Sequence, residues 1–190
     1  MSPFAIILLV AGILLVLYVI VIYNRLVNLK HSAGMAWSNI DVLLKQRHDE
    51  LPKLVETCKH YMRYERDTLE AVMRARQAVA EAQQYTDLPA LGQAESQLRL
   101  GLGRLFAVAE AYPELRASDN FRHLETRITG LENAIADRRE FYNDSVNMNN
   151  VRIEQFPDVL IARMFNFGPL RLLEFTEPEK QDVDLAQLFR

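Results

Sequence analysis

Residues 43–55 read LLKQRHDELPKLV. The flanks are apolar at helical spacing, the middle is a block of charge, and a proline stands inside what otherwise reads as one long helix. Following the pattern outward decides the fold. One seam position holds Leu26, Ala33, Ile40, Arg47, Leu54, Tyr61, Thr68 and Ala75; the other holds Lys30, Trp37, Leu44, Leu51, Cys58, Glu65, Val72 and Val79. Apolar residues at alternating steps of four and three are the stripe of a packed helix, and Arg47 and Glu65 interrupt it. The stripe carries to about Gln84, where YTDLP breaks it, with Asp87 as N-cap and Pro89 in the first turn of the next helix. Pro52 lacks an N–H and is expected to kink or break the first helix, at the boundary between a membrane-proximal stalk and a bundle.

A second helix is expected from about Pro89 to Tyr112, with Leu91, Leu98, Leu102 and Leu105 near one face. Pro113 ends it, because the residue before proline is pushed from helical angles. Ser118 or Asp119 caps a third helix from about Phe121 to Phe156, striped by Leu124, Ile128, Leu131, Ile135, Arg138 and Tyr142 and turning polar in its second half. Pro157 ends or kinks it, and DVLIARMFNF (158–167) makes a short fourth helix stopped by Gly168-Pro169. No stretch alternates like a strand. The expectation is an all-α chain: a transmembrane helix over 1–23, an elongated antiparallel bundle over 24–167 with three long helices and a short one, four-helix-bundle-like, and a tail over 168–190. Within the tail, Leu185, Leu188 and Phe189 are candidates for docking.

The anchor is residues 4–23, FAIILLVAGILLVLYVIVIY, which carry no charge. About twenty such residues suffice to cross a hydrocarbon core as a helix, and Tyr18 and Tyr23 suit the interface. A cleaved signal peptide fits less well, since no lysine or arginine precedes Phe4 and Asn24-Arg25-Leu26 is a poor cleavage site. Arg25 and Lys30 follow the span closely and no basic residue precedes it, which places the N-terminus outside and the body in the cytoplasm.

The rest of the composition bounds what the body does. The chain has 190 residues, 49% apolar and 25% charged, with a net charge of −3. Without a basic excess to hold phosphates, nucleic-acid binding is not expected. One cysteine, Cys58, makes no internal disulfide and reads as a small buried apolar residue. The histidines, His31, His48, His60 and His123, form no metal set, and HDELP is not HExxH. Phosphate-loop, dinucleotide and nucleophile-elbow motifs are absent. No catalytic residue, cofactor or metal is therefore expected. Arg47, Glu65 and Arg138 fall on core stripes, where an unpartnered charge costs several kcal/mol; they either snorkel from the bundle edge or form a polar layer that fixes helix register. Asn143, Asn147 and Asn150, at i, i+4 and i+7, are either a solvated face or a polar strip against another helix or subunit.

Length raises the question of partners. An unbroken first helix would be about 90 Å long against roughly 36 Å for the second, leaving Ala33, Trp37, Ile40 and Leu44 without an obvious cover. Either the helix breaks near Pro52 and folds back, or the stalk packs against other copies of the chain; self-association is the expectation.

Several blocks in order resemble the LemA family: YNRLVNLK, AWSNIDVLLKQRHDELPKLVETCKHY, LFAVAEAYPELRASDNFRHLE and ADRREFYNDSVNMNNVRIEQFP. At the family's motif positions stand Trp37, Asp41, Arg47, His48, Asp49, Pro52, Glu110, Tyr112, Pro113, Phe121, Arg138, Tyr142, Asn143, Asn150, Phe156 and Pro157. Glu50, Lys53 and Asn149 depart from the pattern. The resemblance implies a bacterial inner-membrane protein with one N-terminal membrane helix, an elongated helical bundle and no established enzymatic activity. Members of the family often occur near genes for membrane proteins, including a membrane metalloprotease, so the resemblance implies such proteins as candidate partners. The sequence reading is thus a membrane-anchored, self-associating scaffold or adaptor; the alternative is a regulator or enzyme acting on lipids or small molecules through the charged helix cluster.

Overall fold

A computed structural model describes residues 2–175; the candidate docking residues Leu185, Leu188 and Phe189 lie outside them. The described chain is all-α, with six helices: α1 Pro3–Tyr61, α2 Arg66–Gln84, α3 Leu88–Ala109, α4 Pro113–Ala117, α5 Asp119–Glu154 and α6 Asp158–Met164. They divide into two compact units, Met1–Asn39 with Arg138–Leu172 and Ile40–Asp137 with Leu173–Arg190.

The second unit is an antiparallel four-helix arrangement. Gln83 Nε2 donates to Asp41 Oδ1 (2.6 Å) and Arg76 Nε to the His48 carbonyl (2.9 Å), so α2 runs back along α1. α3 runs back along α2: Gly101 packs on Val72, and Tyr112 OH donates to Glu65 Oε1 (3.5 Å). α5 returns along α1, with Arg127 on Glu50 (3.0 Å) and Asn120 on Thr57 (3.1 Å). Leu44, Leu51, Leu54, Leu98, Leu105 and Ile128 fill the space between them.

The helix does not break at Pro52, which is interior to α1. It breaks ten residues later, over 62–65, the segment MRYE. That turn contains no glycine, proline or asparagine, and the stripes of α1 and α2 stay in phase across it, so periodicity alone reads the two helices as one. α2 ends where Thr86 adopts φ 53°. The amides of Asp87 and Thr86 then donate to the carbonyls of Ala82 and Gln83, closing the last turn in a Schellman motif. Asp87 next caps α3, accepting from the Ala90 amide (3.2 Å). α3 stops at Ala109 rather than Tyr112, and Pro113 begins α4 instead of ending α3, its missing N–H harmless in a first turn. Ser118 caps the start of α5.

In the first unit the span and the stalk belong to one helix. Phe4 to Val21 expose nearly every apolar side chain, whereas Ile22 and Leu26 are buried with Ile153, Ile161 and Ala162, flanked by Val19 and Phe167. The stalk stripe is covered within the chain. Ala33 and Ala36 are buried, and the Trp37 ring meets Tyr142 of α5 at 5.8 Å between centroids. Ile40 and Leu44, at the start of the second unit, are buried too. The uncovered stalk that favoured association with other copies is therefore not present; the second half of α5, polar in composition, still offers Tyr142, Val146 and Ile153 inward. α6 ends like α2, with Asn166 at φ 58° and the Phe167 amide on the Ala162 carbonyl (2.9 Å). Residues 167–175 then run without helix.

Candidate functional site

Three groups of polar residues are assembled by these helices. The deepest is centred on Arg47. A guanidinium on an apolar stripe needs acceptors, and two carboxylates meet it: Glu95 of α3 pairs with Nη2, and Glu132 of α5 with Nη1 at 2.5 Å. Arg47 is 1% exposed and the Glu95 side chain 3%. Desolvation works against the arginine charge, but Glu95 and then Glu132 outweigh it and hold its pKa above the ordinary value. Burial pushes the Glu95 carboxyl up, and Glu132 adds to this, while Arg47 and Arg99 oppose it. One cation thus serves two carboxylates, and Arg47 Nε is buried without an acceptor among the described residues. Both charged ends of the layer are met from inside the bundle. It fixes which faces of α1, α3 and α5 meet, since any slip would strand a buried charge.

The second group explains the proline. Pro52 cannot donate to the carbonyl four residues back, that of His48. Arg76 of α2 supplies the missing donor through Nε (2.9 Å), and its Nη2 lies 2.5 Å from His48 Nε2. Burial and then the Arg76 charge hold the His48 pKa below its ordinary value, so the neutral ring accepts from the guanidinium. His48 is thus half-buried in the α1–α2 seam rather than a solvated histidine.

The third group lies on α5. Asn150 Nδ2 donates to the Leu170 carbonyl and the Leu170 amide donates to Asn150 Oδ1, both at 2.8 Å. Buried Asn149 donates to Asn150 Oδ1 (3.2 Å), and Tyr142 OH donates to the Arg171 carbonyl (2.9 Å). The polar strip foreseen at Asn143, Asn147 and Asn150 therefore has a partner at Asn150, and it is the chain's own segment after α6. Further along that segment, in the second unit, the Glu174 carbonyl crosses so close to Gly92 that a Cβ there would lie 1.9 Å from its oxygen.

The other anticipated residues scatter. Glu65 sits in the turn after α1 and accepts from Tyr112, not from Arg47. Arg138 is exposed, so it belongs to no polar layer, and Asp49 is exposed as well. Asn143 is half-buried and Asn147 exposed on α5. Burial, with Glu125 adding, pushes the Cys58 thiol up to about 12, which keeps it protonated and unreactive. Among the described residues no cluster of three or more histidine, cysteine or acidic side chains is gathered to hold a metal. Glu95 and Glu132 were missed as partners. The signal for Glu95 was present, because it stands four residues after Leu91 and three before Leu98 on the α3 stripe.

A continuous helix whose apolar stretch over residues 4–21 is largely exposed, fused to an all-helical body, defines a membrane-associated helical protein. The chain belongs to the LemA family, whose pattern matches residues 36–186. It is similar to magnetosome protein MamQ 2 of Paramagnetospirillum magneticum, 36% identical over 91 residues that cover 47% of this chain and 33% of that protein. Magnetosome protein MamQ of Magnetospirillum gryphiswaldense is 24% identical over 168 residues, 76% of this chain and 62% of that one. Protein LemA of Metamycoplasma hominis is 25% identical over 165 residues, 87% and 74% of the two. The chain spans a third of the first of these relatives.

Proposed function

We propose that this protein is a non-enzymatic, membrane-anchored helical scaffold that self-associates and organises other proteins of a bacterial inner membrane, with its N-terminus outside and its helical body in the cytoplasm. The observation that carries this reading is the burial of Ile22 and Leu26 in the core of the first unit. The anchor ends as part of the folded body, so the body is held at the bilayer rather than tethered near it. The Arg47 charges are consumed by Glu95 and Glu132, which supports a structural over a chemical use of the charged cluster.

Self-association rests on a different surface from the covered stalk stripe. Phe141, Met148 and Val151, at i, i+7 and i+10 of α5, are all roughly half exposed, an apolar row facing away from the core. Mass photometry of the detergent-solubilised protein tests it. A particle larger than one chain that F141E/M148E reduces to a monomer is expected; a strictly monomeric native protein overturns the oligomer. In-cell crosslinking and pull-down, which should recover specific membrane proteins such as a membrane protease, tests the organising role. A C-terminal tag cleaved by protease added outside intact spheroplasts would overturn the orientation.

One observation favours a second reading, a regulator that binds an anionic amphiphile. A groove of about 480 Å³ beside the α1–α2 turn has Val55, Met62, Leu69 and Met73 as an apolar wall, with Lys59 and Arg63 and the Arg66–Glu70 pair completing its lining. Fatty-acid binding by the purified protein, abolished by R63E, would establish that reading.

A further inference from the structure

We propose that α6 and the turn before it form a helical foot that rests in the lipid interface, giving the first unit a second membrane contact beside the span. The inference rests on the membrane-spanning reading of residues 4–23 and adds to it.

Position is set by packing. Val19, Ile22 and Tyr23 belong to the apolar stretch, and each touches the α6 region. Val19 and Ile22 lie in one cluster with Ile161, Ala162 and Phe167, and the Tyr23 ring meets Phe165 at 4.8 Å and Phe167 at 5.7 Å, edge to face. At 1.5 Å per residue, Val19 and Leu26 are separated by only about 10 Å along the helix. Residues packed on that stretch lie at the boundary between hydrocarbon and headgroups, where aromatic rings are favoured.

Composition then selects the occupant. The face of α6 turned from the core carries Leu160 and Met164, with Phe156 one step of four earlier; they are 58%, 63% and 80% exposed. Exposed rows of large apolar side chains are costly in water but are what an interfacial helix buries among acyl chains. Arg163, three residues after Leu160 on α6, is exposed, as is Arg25, two residues beyond Tyr23 on α1, and both suit lipid phosphates. The acidic residue of α6, Asp158, is turned inward, 2% exposed and paired with Arg152, so it presents no charge to repel anionic headgroups.

The test places an environment-sensitive label on the full chain in a C58A background, through L160C, with V16C as a label inside the span and M35C as a label about 18 Å beyond Tyr23 along α1. Each protein, checked by circular dichroism for native helicity, is reconstituted into phosphatidylcholine–phosphatidylglycerol vesicles containing shallow doxyl-labelled lipid. Blue-shifted emission and loss of intensity at positions 16 and 160, with neither at 35, are expected. Quenching at 16 without quenching at 160 overturns the foot; if position 160 is blue-shifted yet unquenched, a protein surface covers it and the lipid assignment falls. No quenching at 16 overturns the spanning reading together with the foot.

Discussion

Asn150 and Leu170 exchange two hydrogen bonds of 2.8 Å, the side-chain amide of one matching the backbone N–H and C=O of the other. The pairing reproduces, with a side chain, what a neighbouring strand would offer the segment after α6. The primary amide of asparagine, like that of glutamine, sets a neutral donor and acceptor side by side at this spacing. Asn150→Ala should cost about 1–3 kcal/mol through two stranded backbone groups. Native-state hydrogen exchange at the Leu170 amide is the sensitive readout, and unchanged protection would refute the clamp.

Gly92 sets the other end of that segment. A methyl group there meets the Glu174 carbonyl, a backbone atom that cannot swing aside as a side chain would. Gly92→Ala gains about 1 kcal/mol of helix propensity, yet should be destabilising on balance and should open the chain after Leu172 to limited proteolysis. Greater stability with no new cleavage would show that the segment yields without cost.

The arginine at position 76 stands in for the hydrogen bond that Pro52 cannot make. Arg76→Ala should lower stability by about 1–3 kcal/mol by orphaning the His48 carbonyl. In the Pro52→Ala background the backbone N–H restored by the substitution can satisfy that carbonyl, so the same truncation should cost clearly less. A double-mutant cycle from chemical denaturation reads the coupling, and strict additivity would mean that Arg76 acts elsewhere.

Truncating Arg47 to alanine leaves Glu95 and Glu132 facing one another in the core, and about 3–5 kcal/mol should be lost. Replacing the whole layer, R47M/E95L/E132L, should recover most or all of it, because apolar side chains of similar volume avoid the desolvation cost. If the triple variant is as unstable as Arg47→Ala, the layer is a net source of stability rather than of register.

The raised pKa of Glu95 has a definite sign. Folded protein binds this proton more tightly than unfolded protein, whose carboxyl has the ordinary value of 4.5. Its contribution to stability is therefore present in full below that value and is lost as pH rises through the folded one. Comparing wild type with Glu95→Gln by thermal melts, the wild type should gain relative to the variant as pH is lowered from neutrality toward about 5. Asp41 acts in the opposite sense. Its bonds to Lys45 and then Gln83 depress its pKa, so Asp41→Asn should remove stability that the wild type itself loses as pH falls through the folded value. Parallel profiles for wild type and Glu95→Gln would contradict the buried-carboxylate assignment.

What the sequence discloses here is faces, and what it conceals is ends and partners. The seam residues Leu26, Ala33, Ile40, Leu44, Leu51, Leu54 and Cys58 are all buried, because a stripe at helical spacing has one physical use. The turn at 62–65 was hidden because nothing in MRYE is a breaker and α2 resumes the same phase. Pro52 misled in the other direction. Proline costs a helix one hydrogen bond, and the cost that would break an isolated helix is met by the guanidinium of Arg76 on the neighbouring helix, which local reading cannot supply. Arg47 on an apolar stripe calls for a partner, yet the partners come from α3 and α5, a tertiary matter. Arg138 is exposed although Tyr142, Ser145 and Asn149, the later positions of the same stripe on α5, are buried, so the heptad pattern holds and its one charged position is the exception.

Ile22, at the end of the span, and Leu26, one turn beyond it, both lie in the interior of the folded unit. Bilayer thickness thereby becomes a folding variable for this protein. A thicker hydrocarbon core draws the helix inward and sets lipid against Ile153 and Ile161 for possession of the same side chains; a thinner one leaves the last span residues to the protein. Mismatch costs fractions of a kcal/mol per Å, comparable with the packing of a methyl group, so the stability of the membrane-proximal unit should track the acyl-chain length of the lipid in which it is measured.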